Sequence, residues 1–309
     1  MVVRVEVAVP AVNGGGMRGL DVIAAGAFAS VQDLGRPGRA ELGVGASGAA
    51  DRGALRLANR LVGNAEGAAG IETTLGGLEV RTVGAMYVAA TGAPGPLTVV
   101  IDGRVRAVAA NAVVRLPDGA RLCCGVPDAG LRGYLAVRGG IVVPPVLGSR
   151  STDTMAGVGP EPLRPGIRLP VGPPRGDLPS VDVAPVATPG TGELTLRVVP
   201  GPRADWFTPE ALGTLTREPY EVTSDSDRIG MRLSGPRLGR ARAGELPSEG
   251  MVRGALQVPP SETPTLLLAD HPVTGGYPVI AVVVAADVDH AAQARPGSRI
   301  RFRRHPTAG

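Results

Sequence analysis

The residues best suited to chemistry lie in the second half of the chain. Asp270-His271-Pro272-Val273-Thr274-Gly275-Gly276-Tyr277-Pro278 is a polar stretch between two strongly apolar runs, 265–269 and 279–286. Buried strands on either side would fix the ends of such a loop, and rigidly held loops are where binding and catalytic groups concentrate. Asp270 could take a proton or anchor the loop, and Tyr277 could hydrogen-bond a ligand. Gly275 and Gly276 let backbone N–H groups approach an anion or a carbonyl oxygen. The same residues could equally do no more than reverse the chain. Upstream, Glu245 and Ser248-Glu249-Gly250 precede Gly254 to Pro260, so the Glu249 carboxylate and the Gln257 carboxamide flank a short turn. Glu249 is the candidate base or ligand-orienting group, with an ordinary loop acid as the alternative. A third segment, 223–233, sets Asp225 and Asp227 beside Arg228 and Arg232 at a strand start. Arg228 could stabilise developing negative charge; structural ion pairing is the alternative for one of these pairs. Strand alternation sends Arg228 and Met231 to opposite faces and lets Arg228 project with Arg232.

In the first half, the glycine-rich connection 31–51 carries Gln32, Asp33, Arg36, Ser47 and Asp51. A connection of that length in a compact domain is commonly functional, and its side chains could offer a carboxylate and a guanidinium to a polar substrate. The structural alternative has Asp51 capping a helix, Asp33 pairing with Arg36 and the glycines serving turns.

Several chemistries are excluded. The chain has no lysine, so all 32 basic residues of the Lys+Arg count are arginine. Schiff-base catalysis and a biotin or lipoyl group linked to this chain are ruled out, as is the Gly-Lys-Ser/Thr phosphate cradle. The three histidines, 271, 290 and 305, show no metal-ligand spacing, and no Gly-x-Ser-x-Gly elbow is present. A net charge of +4 invites a nucleic-acid reading, but the arginines are scattered and aromatics are only 3% of residues. No apolar run approaches the roughly 20 residues needed to span a bilayer.

The elements that must position these groups are mainly strands. With 46 Gly and 30 Pro the chain is punctuated too often for long helices. Short apolar runs at 86–90, 97–101, 112–116, 135–137, 141–143, 194–199, 265–269 and 279–286 read as strands. One segment departs from this pattern. Ala54, Leu55, Leu57, Ala58, Leu61 and Val62 share one arc at helical pitch, with Asp51 at the N-cap position and Gly63 at the C-terminal stop. A short amphipathic helix is therefore expected over 52–62.

The Pro/Gly-rich stretch 176–192 has linker composition. It divides the chain into an N-terminal extension (1–18, with Met17 a candidate start), a first domain (19–175) and a second domain (193–309). Arg164-Pro165-Gly166-Ile167-Arg168-Leu169 and Arg295-Pro296-Gly297-Ser298-Arg299-Ile300 share one turn pattern, which favours a tandem pair of related barrels. Cys123 and Cys124 are adjacent and would face opposite sides of a strand. Scarce cysteine and no signal peptide indicate the cytoplasm.

These residues resemble a known family. Val31-Gln32-Asp33-Leu34-Gly35-Arg36-Pro37-Gly38, Ser47-Gly48-Ala49 with Asp51, Leu55-Arg56-Leu57-Ala58-Asn59 and Glu72-Thr73-Thr74-Leu75-Gly76-Gly77 are similar to the allophanate hydrolase subunit 2 family. That group includes the 5-oxoprolinase C subunits, the Kip-antagonist proteins and the carboxyltransferase region of urea carboxylase. The resemblance continues through Gly148-Ser149-Arg150-Ser151-Thr152-Asp153, Ser226 to Gly230, Ser248-Glu249-Gly250 and Thr274 to Pro278. It implies two cyclophilin-like β-barrels and a subunit-1 homologue joined in a hetero-oligomer. It also implies ATP-driven opening of 5-oxoproline to glutamate, with Mg and ATP held by the complex and the enzyme completed by a third, lactam-directed subunit. The alternatives it carries are a carboxyltransferase acting on biotin borne by another chain, and a regulatory binder of the Kip-antagonist type. Site residues carried over are Gln32, Asp33, Arg36, Ser47 and Asp51 in the first domain, and Arg228, Glu249, Gln257, Asp270, Thr274, Gly275, Gly276 and Tyr277 in the second. Relatives commonly have Arg, Gln and Lys where this chain has His271, Pro272 and Val279.

Overall fold

The computed structural model describes residues 18–306 apart from 188, 243 and 245. The expected extension, save Arg18, and the acid Glu245 lie outside the described residues. The chain forms two compact units. One holds the residues up to Arg36, Ser47–Asp153 and Gly157–Gly190; the other holds Pro37–Ala46, Thr154–Ala156 and the chain from Thr191 on.

The first unit is built from β1 (Gly19–Ala25), β2 (Phe28–Gln32), β3 (Gly70–Thr74), β4 (Leu78–Val83), β5 (Met86–Gly92) and β6 (Leu97–Ile101). It continues with β7 (Arg104–Val108), β8 (Val113–Leu116), β9 (Arg121–Cys124), β10 (Arg132–Val137) and β11 (Arg168–Pro170). They make a six-stranded sheet, β11-β1-β4-β9-β6-β7, and a five-stranded sheet, β2-β3-β10-β5-β8. One core draws on both: Leu20, Val80, Val99 and Leu122 from the first sheet meet Val31, Ile71, Val88 and Leu135 from the second. Alternation along each strand produces this core, since every second side chain faces it. On β9 Cys124 is buried while Cys123 is partly exposed. Burial pushes the Cys124 thiol up to about 12, making it a packing group and not a nucleophile.

The helix expected over 52–62 is α1 (Arg52–Leu61), with Val62 as its C-cap. Asp51 Oδ1 accepts from Ala54 N at 2.9 Å. Leu55, Ala58 and Leu61 are buried on the inner face, and the helix packs on β5 and β10. Gly63 turns the chain out at φ 68°, and a Cβ there would meet Arg138 Nη1 at 2.5 Å. Part of the stretch expected to be a linker, up to Ala184, is bonded to the first unit. Arg138 donates to the carbonyls of Arg175, Gly176 and Asp177, Val113 N donates to Asp182 O, and Ala184 N donates to Asn111 O. Its prolines prevent regular structure without preventing bonds to neighbouring backbone.

The second unit contains β12 (Leu194–Pro200), α2 (Ala211–Arg217), β13 (Pro219–Val222), β14 (Gly230–Ser234), β15 (Glu249–Gly250) and β16 (Ala255–Gln257). It ends with β17 (Thr265–Leu267), β18 (Thr274–Gly275), β19 (Val279–Val283), α3 (Ala285–Ala291) and β20 (Arg299–Arg304). Seven strands close a barrel, β12-β19-β16-β17-β14-β13-β20, around Leu196, Tyr220, Leu233, Leu256, Leu266, Ile280 and Phe302. Two details differ from the sequence reading. The run 279–286 stops being strand at Val283, because Ala285 and Ala286 favour helix and Asp287 sits in the favourable first turn of α3. The run 141–143 contributes only a bridge, Ile141 to Val171.

The shared Arg-Pro-Gly pattern closes both units by one device. Ile167 N donates to Arg164 O and Ser298 N to Arg295 O, with Gly166 at φ 90° and Gly297 at φ 83°. These are turns with proline at the second position and a left-handed glycine at the third. Each turn then bonds a strand in the same way: Gly166 N to Val22 O with Val22 N to Ile167 O, and Gly297 N to Val222 O with Val222 N to Ser298 O.

Candidate functional site

In the second unit, β15 and β18 pair antiparallel, with Glu249 opposite Gly275 and Gly250 opposite Thr274. Two loops chosen separately from the sequence therefore share one short ladder. Met251 N donates to Val273 O, extending the join. Gln257 Nε2 reaches Met251 Sδ at 3.2 Å and Tyr277 O at 3.4 Å, so its carboxamide braces the junction from β16. A Cβ on Gly275 would lie 2.5 Å from Gln257 Nε2, so a larger residue there would displace the carboxamide. Tyr277 is 44% exposed and Thr274 is exposed, so both project from the brace.

The sequence reading missed Arg203. It lies in the turn after β12, where Gly201 N donates to Ile280 O and Arg203 N to Val279 O, tying the turn to the strand that follows the 270–278 loop. Arg203 Nε contacts both Glu249 oxygens, at 2.8 and 3.0 Å, and Nη2 also donates to Oε1. The Arg203 hydrogen bond holds the Glu249 carboxyl below the ordinary carboxylate range. An anion so stabilised is a weak base at neutral pH and a strong orienting group. The only local signal for Arg203 was its place in Pro200-Gly201-Pro202-Arg203, a turn between a strand and a helix.

Asp270 and Arg228 are brought together differently. Arg228 Nε donates to Asp270 Oδ2 at 2.9 Å and Nη2 to Oδ1 at 3.0 Å, and the side chains are 4% and 0% exposed. Thr154 adds its N–H at 3.0 Å and its hydroxyl at 2.7 Å to Oδ2. With both oxygens engaged, Asp270 anchors the start of its loop. Arg228 does not share the setting of Arg232, which is exposed on β14. It precedes the strand, and Asp227 turns back to accept from Ile229 N and Gly230 N.

The first-unit candidates also face inward. Asp33 Oδ1 accepts from Gly35 N at 2.7 Å and from the hydroxyls of Ser149 and Ser151, both at 2.6 Å; Oδ2 accepts from Arg150 N at 2.6 Å. Arg36, 2% exposed, donates to Val146 O and Ser151 O and lies 3.9 Å from Asp153, the ion pair that replaces the expected one with Asp33. Gln32 and Ser47 both donate to Thr152 O. These four residues lock the 146–153 segment to the 31–51 connection. Asp51 caps α1, and its N–H donates to the Tyr134 hydroxyl at 2.7 Å. That hydroxyl donates in turn to Glu72, which also holds Ala50 N and Arg132. Burial, reinforced by Glu72, keeps the Tyr134 phenol protonated far above its usual range.

Among the described residues no group of three His, Cys, Asp or Glu side chains converges to hold a metal ion. The chain has no lysine for a Gly-Lys-Ser/Thr phosphate cradle.

The fold and these loops define a mainly β module in which Glu249 and Thr274 lie on one short ladder of the second unit, with Arg203 bonded to Glu249 and the Tyr277 carbonyl near Gln257. The chain belongs to the family of the carboxyltransferase domain, subdomain A and B, which matches residues 42–304. It is similar to the 5-oxoprolinase C subunit of Escherichia coli (strain K12), at 40% identity over 288 residues covering 92% of this chain and 90% of that one. It is also similar to urea amidolyase of Lachancea kluyveri, at 33% identity over 308 residues covering 91% of this chain and 17% of that one. The crystal structure of the K. lactis urea amidolyase shares the fold, with a TM-score of 0.84 at 30% identity, covering 94% of this chain and 19% of that one. The chain thus spans most of the bacterial relative and about a fifth of the fungal enzymes. No helix among the described residues is long and apolar enough to cross a membrane.

Proposed function

We propose that this chain is one component of a cytoplasmic, ATP-dependent 5-oxoprolinase that opens the cyclic amide 5-oxoproline to glutamate. It works with a subunit-1 homologue in a hetero-oligomer and with a third, lactam-directed subunit. The observation that carries the reading is the 40% identity to a 5-oxoprolinase C subunit over nine-tenths of both chains. ATP and Mg are assigned to the complex as a whole, this chain having no lysine for a Gly-Lys-Ser/Thr cradle. What this chain contributes is the Arg203–Glu249 pair on the ladder that also carries Thr274, a set suited to orient a small polar amide. The test is to co-express the chain with its genomic neighbours and follow ATP turnover and glutamate release with and without 5-oxoproline. ATP turnover no faster with 5-oxoproline than without it rejects the reading.

The family description and the urea amidolyase likeness favour a second reading, a carboxyltransferase acting on biotin. Having no lysine, the chain would receive that biotin from another polypeptide. ATP consumption that depends on biotin, bicarbonate and urea selects this reading over the first.

A further inference from the structure

We propose that Arg203 is the carboxylate-recognising residue of this site, reading the ring carboxylate of a cyclic amide acid through the guanidinium edge that Glu249 leaves free. The inference rests on the cyclic-amide reading above and deepens it by naming the group that selects an acidic lactam over a neutral one.

The 270–278 loop carries no arginine or lysine, and its one basic side chain, His271, has Nδ1 held 2.8 Å from Pro272 O. A cation for an anionic substrate must therefore come from outside the loop. Arg228 is spent on Asp270 in a buried pair. Arg253 is bonded to Asp289 at 2.6 Å and largely covered. Arg203 is different: its side chain is 38% exposed and its backbone is fixed to Val279 at the loop's far end. Its partner Glu249 stands across the ladder from Gly275.

A guanidinium has five N–H groups in a rigid fork, and two adjacent edges can each take a carboxylate. Glu249 occupies the Nε/Nη2 edge, which leaves the Nη1/Nη2 edge for a ligand and fixes the plane in which it binds. Glu249 is then a positioning residue for Arg203. Two further arginines stand against the aromatic ring that follows Arg203. Arg240 and Arg242 flank Trp206 in the same turn, at 5.8 and 5.9 Å from the ring, and Arg242 pairs with Asp205.

The experiment measures kcat and KM of the co-expressed complex for 5-oxoproline and for 2-pyrrolidone, the same ring without the carboxylate, in the parent, Arg203→Gln and Arg203→Lys. The expected result is a KM for 5-oxoproline raised roughly 10- to 100-fold in Arg203→Gln, as for loss of a charge-assisted carboxylate bond. Its kcat changes less, and the preference for 5-oxoproline over 2-pyrrolidone collapses. Arg203→Lys recovers part of both. An unchanged preference in Arg203→Gln, or an equal loss on the two lactams, overturns the assignment. If the parental complex is inactive, the functional reading fails, and binding to the full chain decides the inference. Trp206, the single tryptophan, sits in the Arg203 turn and reports the titration by fluorescence. Saturable quenching by 5-oxoproline but not 2-pyrrolidone, lost in Arg203→Gln, supports the site; no difference between the two lactams overturns it.

Discussion

Two arginine–carboxylate pairs of the second unit use the same guanidinium edge in different surroundings. Arg228 meets Asp270 and Arg203 meets Glu249, each through Nε and Nη2, with Nε contacts of 2.8 to 3.0 Å in both. What separates them is water. The first pair is sealed, and its carboxylate is also bonded by Thr154. The second is partly solvated, on a two-residue ladder. A buried pair resists disruption because either charge left alone has lost its hydration, whereas a solvated pair can be rearranged cheaply. Burial, and not the presence of a fork, decides which arginine is available to a ligand.

The most direct way to break this contrast is Asp270→Ala. It leaves the Arg228 guanidinium buried without its counter-charge and is expected to cost about 3–5 kcal/mol of unfolding free energy in denaturant titrations. A loss as small as that of a surface pair would erase the distinction. Asp33→Asn extends the comparison to the first unit, where one carboxylate holds four donors. The amide keeps part of that set and places an NH2 against donors, for an expected cost of about 1–3 kcal/mol.

Acid titration probes a half-covered case. Arg197 donates its N–H, Nε and Nη2 to Asp287, whose carboxyl is held below its ordinary range chiefly by the Arg197 side-chain bond. The folded value is depressed, so the stabilisation is fully present above the ordinary carboxylate value of about 3.9. It is lost as pH falls through the lowered folded value. Thermal midpoints of the parent should therefore fall more steeply below about pH 4 than those of Arg197→Gln. Equal slopes would mean the pair adds no pH-dependent stability.

The smallest effect sharpens the solvated end. In Arg203→Gln the Glu249 carboxyl, depressed by Arg203 in the parent, should titrate back toward the ordinary range when followed by NMR, with thermal unfolding essentially unmoved. A concurrent collapse of the fold would place Arg203 with Arg228 as a structural group.

Local features of the chain were legible in proportion to how local their physics is. The helix at Arg52–Leu61 follows from its apolar spacing, the Asp51 cap and Gly63, all within one dozen-residue window. The strands follow from alternation between turn residues, and the paired Pro-Gly turns that close the two units follow from proline's fixed φ and glycine's access to positive φ. Where the signal was ambiguous, at 141–143 and after Val283, pairing partners and not composition settled the element.

Residue types alone also determined that lysine chemistry is absent, that the chain is mainly β, and which polar residues are candidates. Only the tertiary structure decided what those candidates do. Asp33 meets its serine partners 116 and 118 residues away, and Arg203 reaches Glu249 across 46, separations over which sequence spacing conveys no distance. The physical reason is that a carboxylate's role depends on how much water remains around it and which donors surround it. Both quantities are fixed only when segments far apart in the chain are packed together.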